Sequence, residues 1–382
     1  MRCPFLCDFS GGARGAVGVL PLQELPPEFI PFTIFAMTRN RTRTEPTLNL
    51  SPSLNHRQVM KNMTQSLAYD GGDVSRWQQT LRRKLKSLIG MPEKDDAPLK
   101  VRSLWKRETR LGTIEKIAFE VEPKCDLLAY WCVPREALSP RPAMICLQGH
   151  STGMHNSIGV EREDESKAMK VEGDRDFAIG AMQRGVAALC IEQRSFGLRR
   201  EQHQEQVSSH PCHDAVMHAL MLGRTLAGER VFDVDRGLDY LAQRGDVDMK
   251  RVGVMGNSGG GTITMYAAAL LPRLSFAMPS CSFCTFADSI MSIYHCGDNY
   301  IPGILQYAEA ADVMGLFAPK PLVVVTGRED PIFPLPGVRK AFRDLQRIYE
   351  AAGAKENCRL AIGEGGHRFY ADDGWPKLLK MI

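Results

Sequence analysis

Ser258 stands in the run Gly256-Asn257-Ser258-Gly259-Gly260-Gly261, with a glycine two residues to either side. The apolar stretch Arg251-Val252-Gly253-Val254-Met255 leads into it, and a helix-forming stretch from Ile263 to Leu271 follows. A serine on a sharp strand-to-helix turn presents its hydroxyl above a sheet as a nucleophile. Such a turn leaves no room for side chains at positions 256 and 260. It also sets the Gly259 amide at the start of a helix, ready to stabilise an oxyanion. The predicted chemistry is acyl transfer through a covalent serine intermediate.

A serine hydroxyl is a weak nucleophile until a base takes its proton. Pro321–Thr326 has the pattern of a buried strand, and Gly327-Arg328-Glu329-Asp330-Pro331 is the loop beyond it. Asn357–Ile362 is a further strand, followed by Gly363-Glu364-Gly365-Gly366-His367. Ser258, Asp330 and His367 therefore each lie just past the C-terminal end of a strand, where an open α/β sheet forms its functional crevice. Among nine histidines, His367 is the one that follows the last strand behind a glycine-rich lead. It is the predicted base, with Asp330 as the acid that orients it. Pro331 biases the backbone at Asp330 toward an extended conformation and stiffens the turn. Asp288, beyond the strand Leu274–Pro279, is the alternative acid, and Glu329 is taken as a solvated neighbour.

These residues need a sheet to hold them. Further predicted strands are Leu99–Trp105, Ile114–Phe119, Leu127–Val133, Pro142–Leu147 and Val186–Ile191, the second and third forming a hairpin. Helices are expected near His213–Leu226 and Glu229–Gln243. Alternation of this kind specifies a mostly parallel central sheet flanked by helices. A length of 382 residues at 44% hydrophobic composition allows one large decorated domain. Residues 99–382 are assigned to it. Residues 1–50 lack sustained periodicity and are expected to be a loose leader. Residues 51–98 are expected to be a helical extension. Within it, Trp77, Leu81, Leu85 and Leu88 recur at helical spacing, with Ser75 as cap and Gly90 as stop. The stretches Gly153–Asp176 and Ser280–Asp312 are insertions, the second placed to roof the pocket as a small cap.

Composition excludes other classes. The eleven cysteines are scattered and odd in number, which argues against a disulfide framework and for a reducing, cytoplasmic setting. Cys281-x-x-Cys284 and the cluster His210, Cys212, His213 and His218 lack a second pair at zinc-ligand spacing, so no metal or other cofactor is expected. No apolar run approaches the roughly 20 residues of a membrane span. A net charge of +4 is too small and dispersed for a nucleic-acid partner.

Roughly residues 100–382 resemble the α/β hydrolases of the acetyl-xylan-esterase and dienelactone-hydrolase-like group. The Gly256–Gly260 elbow, the Gly327–Pro331 acid loop and the segment Gly365-Gly366-His367-Arg368-Phe369-Tyr370 carry the resemblance, with Cys296–Gly303 a weaker match. It implies the α/β-hydrolase fold, whose triads follow the chain order Ser, Asp, His. Dienelactone hydrolases proper use cysteine at the elbow, so serine here favours ordinary ester hydrolysis. Many relatives carry His-Gly after the first parallel strand, where this chain has Gln148-Gly149. By that alignment the second oxyanion donor is the backbone of His150, with Ser151 the alternative. Arg194 matches an arginine with a structural ion-pair role. The implied substrates are short acyl esters of carbohydrates or similar small alcohols, and a homo-oligomer is left open. A peptidase of the prolyl-oligopeptidase type is the nearest alternative, but no propeller-like repeats precede the catalytic part. A non-catalytic binding module of the same fold would have no need of all three triad residues.

Overall fold

The computed structural model describes residues 48–95, 98–136, 139–201 and 212–382. Most of the expected leader, and His210, lie outside the described residues. Residues Pro52–Ile382 form one compact unit.

Among the described residues, nine strands make one sheet. They are β1 (Arg102–Glu108), β2 (Gly112–Glu122), β3 (Cys125–Pro134), β4 (Arg141–Leu147), β5 (Ala187–Ile191), β6 (Val247–Asn257), β7 (Phe276–Ser280), β8 (Leu322–Gly327) and β9 (Cys358–Gly363). Their order across the sheet is β1-β2-β3-β5-β4-β6-β7-β8-β9. The pairings β1–β2, β2–β3 and β3–β5 are antiparallel, and every other pair is parallel. Strands β5, β7 and β8 are buried along their whole length, which is why they appear in the sequence as unbroken apolar runs. β1 starts three residues later than expected. Thr109 and Gly112 close the turn to β2, and that turn sets the register from Glu108↔Thr113 back to Arg102↔Ala118.

Among the described residues, ten α-helices accompany the sheet: α1 (Pro52–Asn62), α2 (Val74–Ile89), α3 (His155–Ile158), α4 (Phe177–Met182), α5 (His213–Met221), α6 (Leu226–Ala242), α7 (Gly259–Leu270), α8 (Ala310–Gly315), α9 (Leu335–Ala351) and α10 (Ala371–Leu379). Alternate residues of each strand face opposite ways, and the core divides accordingly. Ile145, Leu189 and Val254 join residues of α6, α7 and α9 in one apolar cluster. Met144, Ala188 and Met255 join Phe177 and Trp375 in another.

Two helix boundaries differ from expectation. Asp73, rather than Ser75, caps α2, its Oδ1 accepting from the Arg76 amide at 2.8 Å. The single helix expected over His213–Leu226 is broken. Gly223 adopts a left-handed φ of 73°, and Thr225 starts a new helix by accepting from the Gly228 amide. Gly90 does stop α2, at φ 59°. Leu81, Leu85 and Ile89 on α2 are fully buried in the larger core cluster. No described helix is long and apolar enough to cross a membrane.

Candidate active site

Ser258 sits between β6 and α7 at φ 56°, ψ −124°, a conformation costly for a residue with a side chain. The glycines around it are explained by close approach. A Cβ on Gly256 would come within 2.5 Å of the Gly260 backbone, and one on Gly260 within 2.1 Å of the Leu147 carbonyl on β4. The Ser258 amide donates to the Ser280 carbonyl at 2.9 Å, which fixes the turn to the end of β7. Its side chain makes no capping bond to α7. Gly259 is the first residue of that helix, so its amide has no intrahelical acceptor.

The loop after β8 supplies Asp330, 3% exposed. Its Oδ1 accepts from the amides of Ile332 at 2.9 Å and Phe333 at 3.2 Å. Its Oδ2 lies 2.8 Å from Nδ1 of His367, which follows β9. An ionised carboxylate only accepts, so Nδ1 carries the proton and Nε2 is the basic nitrogen. That Nε2 is buried and has no hydrogen-bond partner among the described residues. Phe333 stacks on the imidazole with ring centres 5.9 Å apart. The alternative acid Asp288 is engaged elsewhere, its Oδ2 accepting from the Thr285 hydroxyl at 2.6 Å and closing a local turn. Glu329 is exposed, and its backbone amide binds the Gly365 carbonyl.

The loop after β4 runs directly against the elbow, since a Cβ on Gly149 would lie 2.9 Å from Ser258 Cβ. Ser151 turns this loop at φ 62°, and the Thr152 hydroxyl closes it by donating to the Gly149 carbonyl at 2.8 Å. Gln148 ties the loop to the insertion behind it, donating to the Ser157 hydroxyl and the Arg175 carbonyl.

The His150 side chain lies over Gly259, whose Cβ would meet its Nδ1 and Cε1 at 2.9 Å. Its Nε2 reaches both oxygens of Asp298, at 3.1 and 3.0 Å. Burial opposes a charge on this ring, but the Asp298 carboxylate outweighs it and pushes the pKa up to about 9. Asp298 also pairs with Arg230, and both are almost completely buried. Phe196 packs its ring against His150 at 4.9 Å and under the Arg230 guanidinium at 4.1 Å. His295 feels the charges of both His150 and His367. Burial, with those charges adding, lowers its pKa to about 4. Arg194 stands apart in an ion cluster with Asp233, Glu122 and Glu229.

The structure thus joins Asp330 to His367 and packs the Gly149–His150 loop against Ser258. Sequence reasoning passed over His295, Asp298 and Arg230 as site residues. The only signal was the Cys296–Gly303 segment, and no local pattern shows that Asp298 meets a histidine 148 residues away.

A strained serine at the end of a parallel strand, an Asp–His pair on the next loops and this sheet order define an α/β hydrolase. Residues 54–362 match the model of the Abhydrolase family, and the chain belongs to that family. It is 25% identical over 290 residues to the Bacillus subtilis (strain 168) protein named "Putative hydrolase YtaP", covering 75% of this chain and 92% of that one. Its fold is similar to that of a Bacteroides fragilis NCTC 9343 protein described as a "putative acetyl xylan esterase", with TM-score 0.71, 15% identity and coverage of 88% and 86%. It is also similar to a glucuronoyl esterase from Solibacter usitatus, with TM-score 0.59, 17% identity and coverage of 84% and 96%.

Proposed function

We propose that this α/β hydrolase is a serine carboxylic-ester hydrolase that works through an acyl-enzyme on short acyl esters of carbohydrates or similar small alcohols. The observation that carries the reading is His367, tied to Asp330 through Nδ1, with Nε2 free, on the same sheet edge as the strained Ser258. Ser258 Oγ attacks the ester carbonyl while His367 Nε2 takes its proton. Asp330 stabilises the imidazolium that forms. The amides of Gly259 and His150 are the donors for the oxyanion. His367 then protonates the departing alcohol, and water, activated by the same imidazole, releases the acid. The acetyl xylan esterase likeness supports the choice of a short acyl group on a sugar.

A panel of p-nitrophenyl esters of increasing acyl length, with acetylated sugars alongside, tests the substrate class. Ser258→Ala should keep its fold and lose on the order of 10⁴- to 10⁶-fold in kcat. Retention of more than about a tenth of the activity would overturn the nucleophile assignment.

A further inference from the structure

Four side chains with metal-binding atoms converge beside the candidate oxyanion loop. His150 comes from the loop after β4, Cys212 from the N-cap of α5, and Cys296 and Asp298 from the insertion after β7. Their ligating atoms all lie within 4.8 Å of one another. His150 Nε2 is 3.0 Å from the nearer Asp298 oxygen, and Cys212 Sγ is 3.6 Å from the same carboxylate.

We propose that His150, Cys212, Cys296 and Asp298 form a binding site for one Zn²⁺ ion. In a tetrahedral zinc site with bonds of about 2.0–2.3 Å, neighbouring ligand atoms sit roughly 3.3–3.8 Å apart. The present spacing brackets that range, so small side-chain shifts complete the sphere. Two thiolates, one imidazole and one carboxylate are a donor set that favours zinc over magnesium or calcium.

Charge also balances. On binding, both thiols and the His150 imidazolium release their protons to solvent, and His150 binds as neutral imidazole. Two thiolates and a carboxylate then face Zn²⁺ and the buried Arg230 guanidinium. Arg230 already contacts Asp298 and lies 3.5 Å from Cys212 Sγ, the place of an outer partner that orients the ligands. Cys212 and Asp298 are buried, while His150 and Cys296 are partly exposed and give the ion a route in. An ion here would clamp the His150 loop to the insertion after β7 and to α5. The other such cluster among the described residues, Cys281, Asp330 and His367, contains the acid and base of the candidate triad and belongs to that site.

Cobalt(II) added to reduced, metal-stripped, full-length protein reads the ligands directly, because thiolate ligation gives a near-ultraviolet sulfur-to-cobalt band and tetrahedral geometry gives intense visible bands. One equivalent should bind with both features, and Zn²⁺ should displace it. Cys296→Ser and Cys212→Ser should each weaken the sulfur band, and Cys281→Ser should leave it unchanged. Wild-type protein with no sulfur band would overturn the proposal without recourse to any variant. So would a band that survives both substitutions or vanishes in Cys281→Ser. Circular dichroism of each variant separates lost ligation from lost fold. Because the readout is spectroscopic, it is independent of whether the esterase reading holds.

Discussion

Asp330 uses its two oxygens for two tasks. One is pinned by the Ile332 and Phe333 amides, and that leaves the other aimed at His367 Nδ1. Changing Asp330 to asparagine keeps the shape but offers His367 an NH₂ group or a weaker acceptor, which favours the wrong tautomer. Asp330→Asn should lower kcat roughly 10⁴-fold with a p-nitrophenyl ester. Asp288→Asn and Glu329→Gln should each have small effects, since neither side chain pairs with His367. If Asp288→Asn proved the crippling change, the acid assignment would fail.

At the scale of the element, α8 is held by a partly buried acidic cap. Glu309 accepts from the amides of Phe286 and Ala310, and Asp312 returns the bond by accepting from the Glu309 amide, a reciprocal capping box. Burial raises the Glu309 pKa from 4.5 to about 7, against the pull of those amides and with the Asp312 charge adding to it. Below the ordinary value both folded and unfolded chains hold the proton. As pH rises toward 7 the folded chain keeps a proton the unfolded chain loses, so stability falls across that interval and levels above it. At about 1.4 kcal/mol per pKa unit, the effect is on the order of 3 kcal/mol. Glu309→Gln keeps an acceptor and removes the titration. Its melting temperature should therefore drop less than that of wild type between about pH 5 and about pH 8. Equal drops in both proteins would show that Glu309 is not the titrating group.

For the molecule as a whole, α2 is the part outside the sheet that completes the core. It docks against the C-terminal end of α7 and the end of α8 with the turn that follows it. Arg82 donates to the carbonyls of Ala269 and Leu316, and Gln78 to those of Gly315 and Ala318. Leu85, fully buried, fills the space beneath. Leu85→Ala should cost about 2–5 kcal/mol of unfolding free energy. The contact at the end of α7 lies about 15 Å along the helix from Ser258, so kcat per folded molecule should not change. Denaturant melts paired with active-site titration check both halves. A loss of kcat without loss of stability would mean that α2 shapes the site.

The sequence by itself determined the fold class and the position of Ser258, Asp330 and His367 at strand ends. Both follow from local properties. A strand buried on both faces must be apolar throughout, and a turn that brings the Gly260 Cα against the Leu147 carbonyl must be glycine. Helix caps were less legible, because Asp73 and Ser75 are both competent caps and only the backbone path of α2 chooses between them. Tertiary structure alone decided which acid meets His367 and which partner meets His150. It also decided that Cys212, read in the sequence beside His210 and His213, meets His150, Cys296 and Asp298. Spacing rules find ligands on one hairpin or helix. These four residues come from three segments, which follow β4, β5 and β7, and they meet because the sheet order β5-β4-β6-β7 carries the ends of these parallel strands to one side of the sheet.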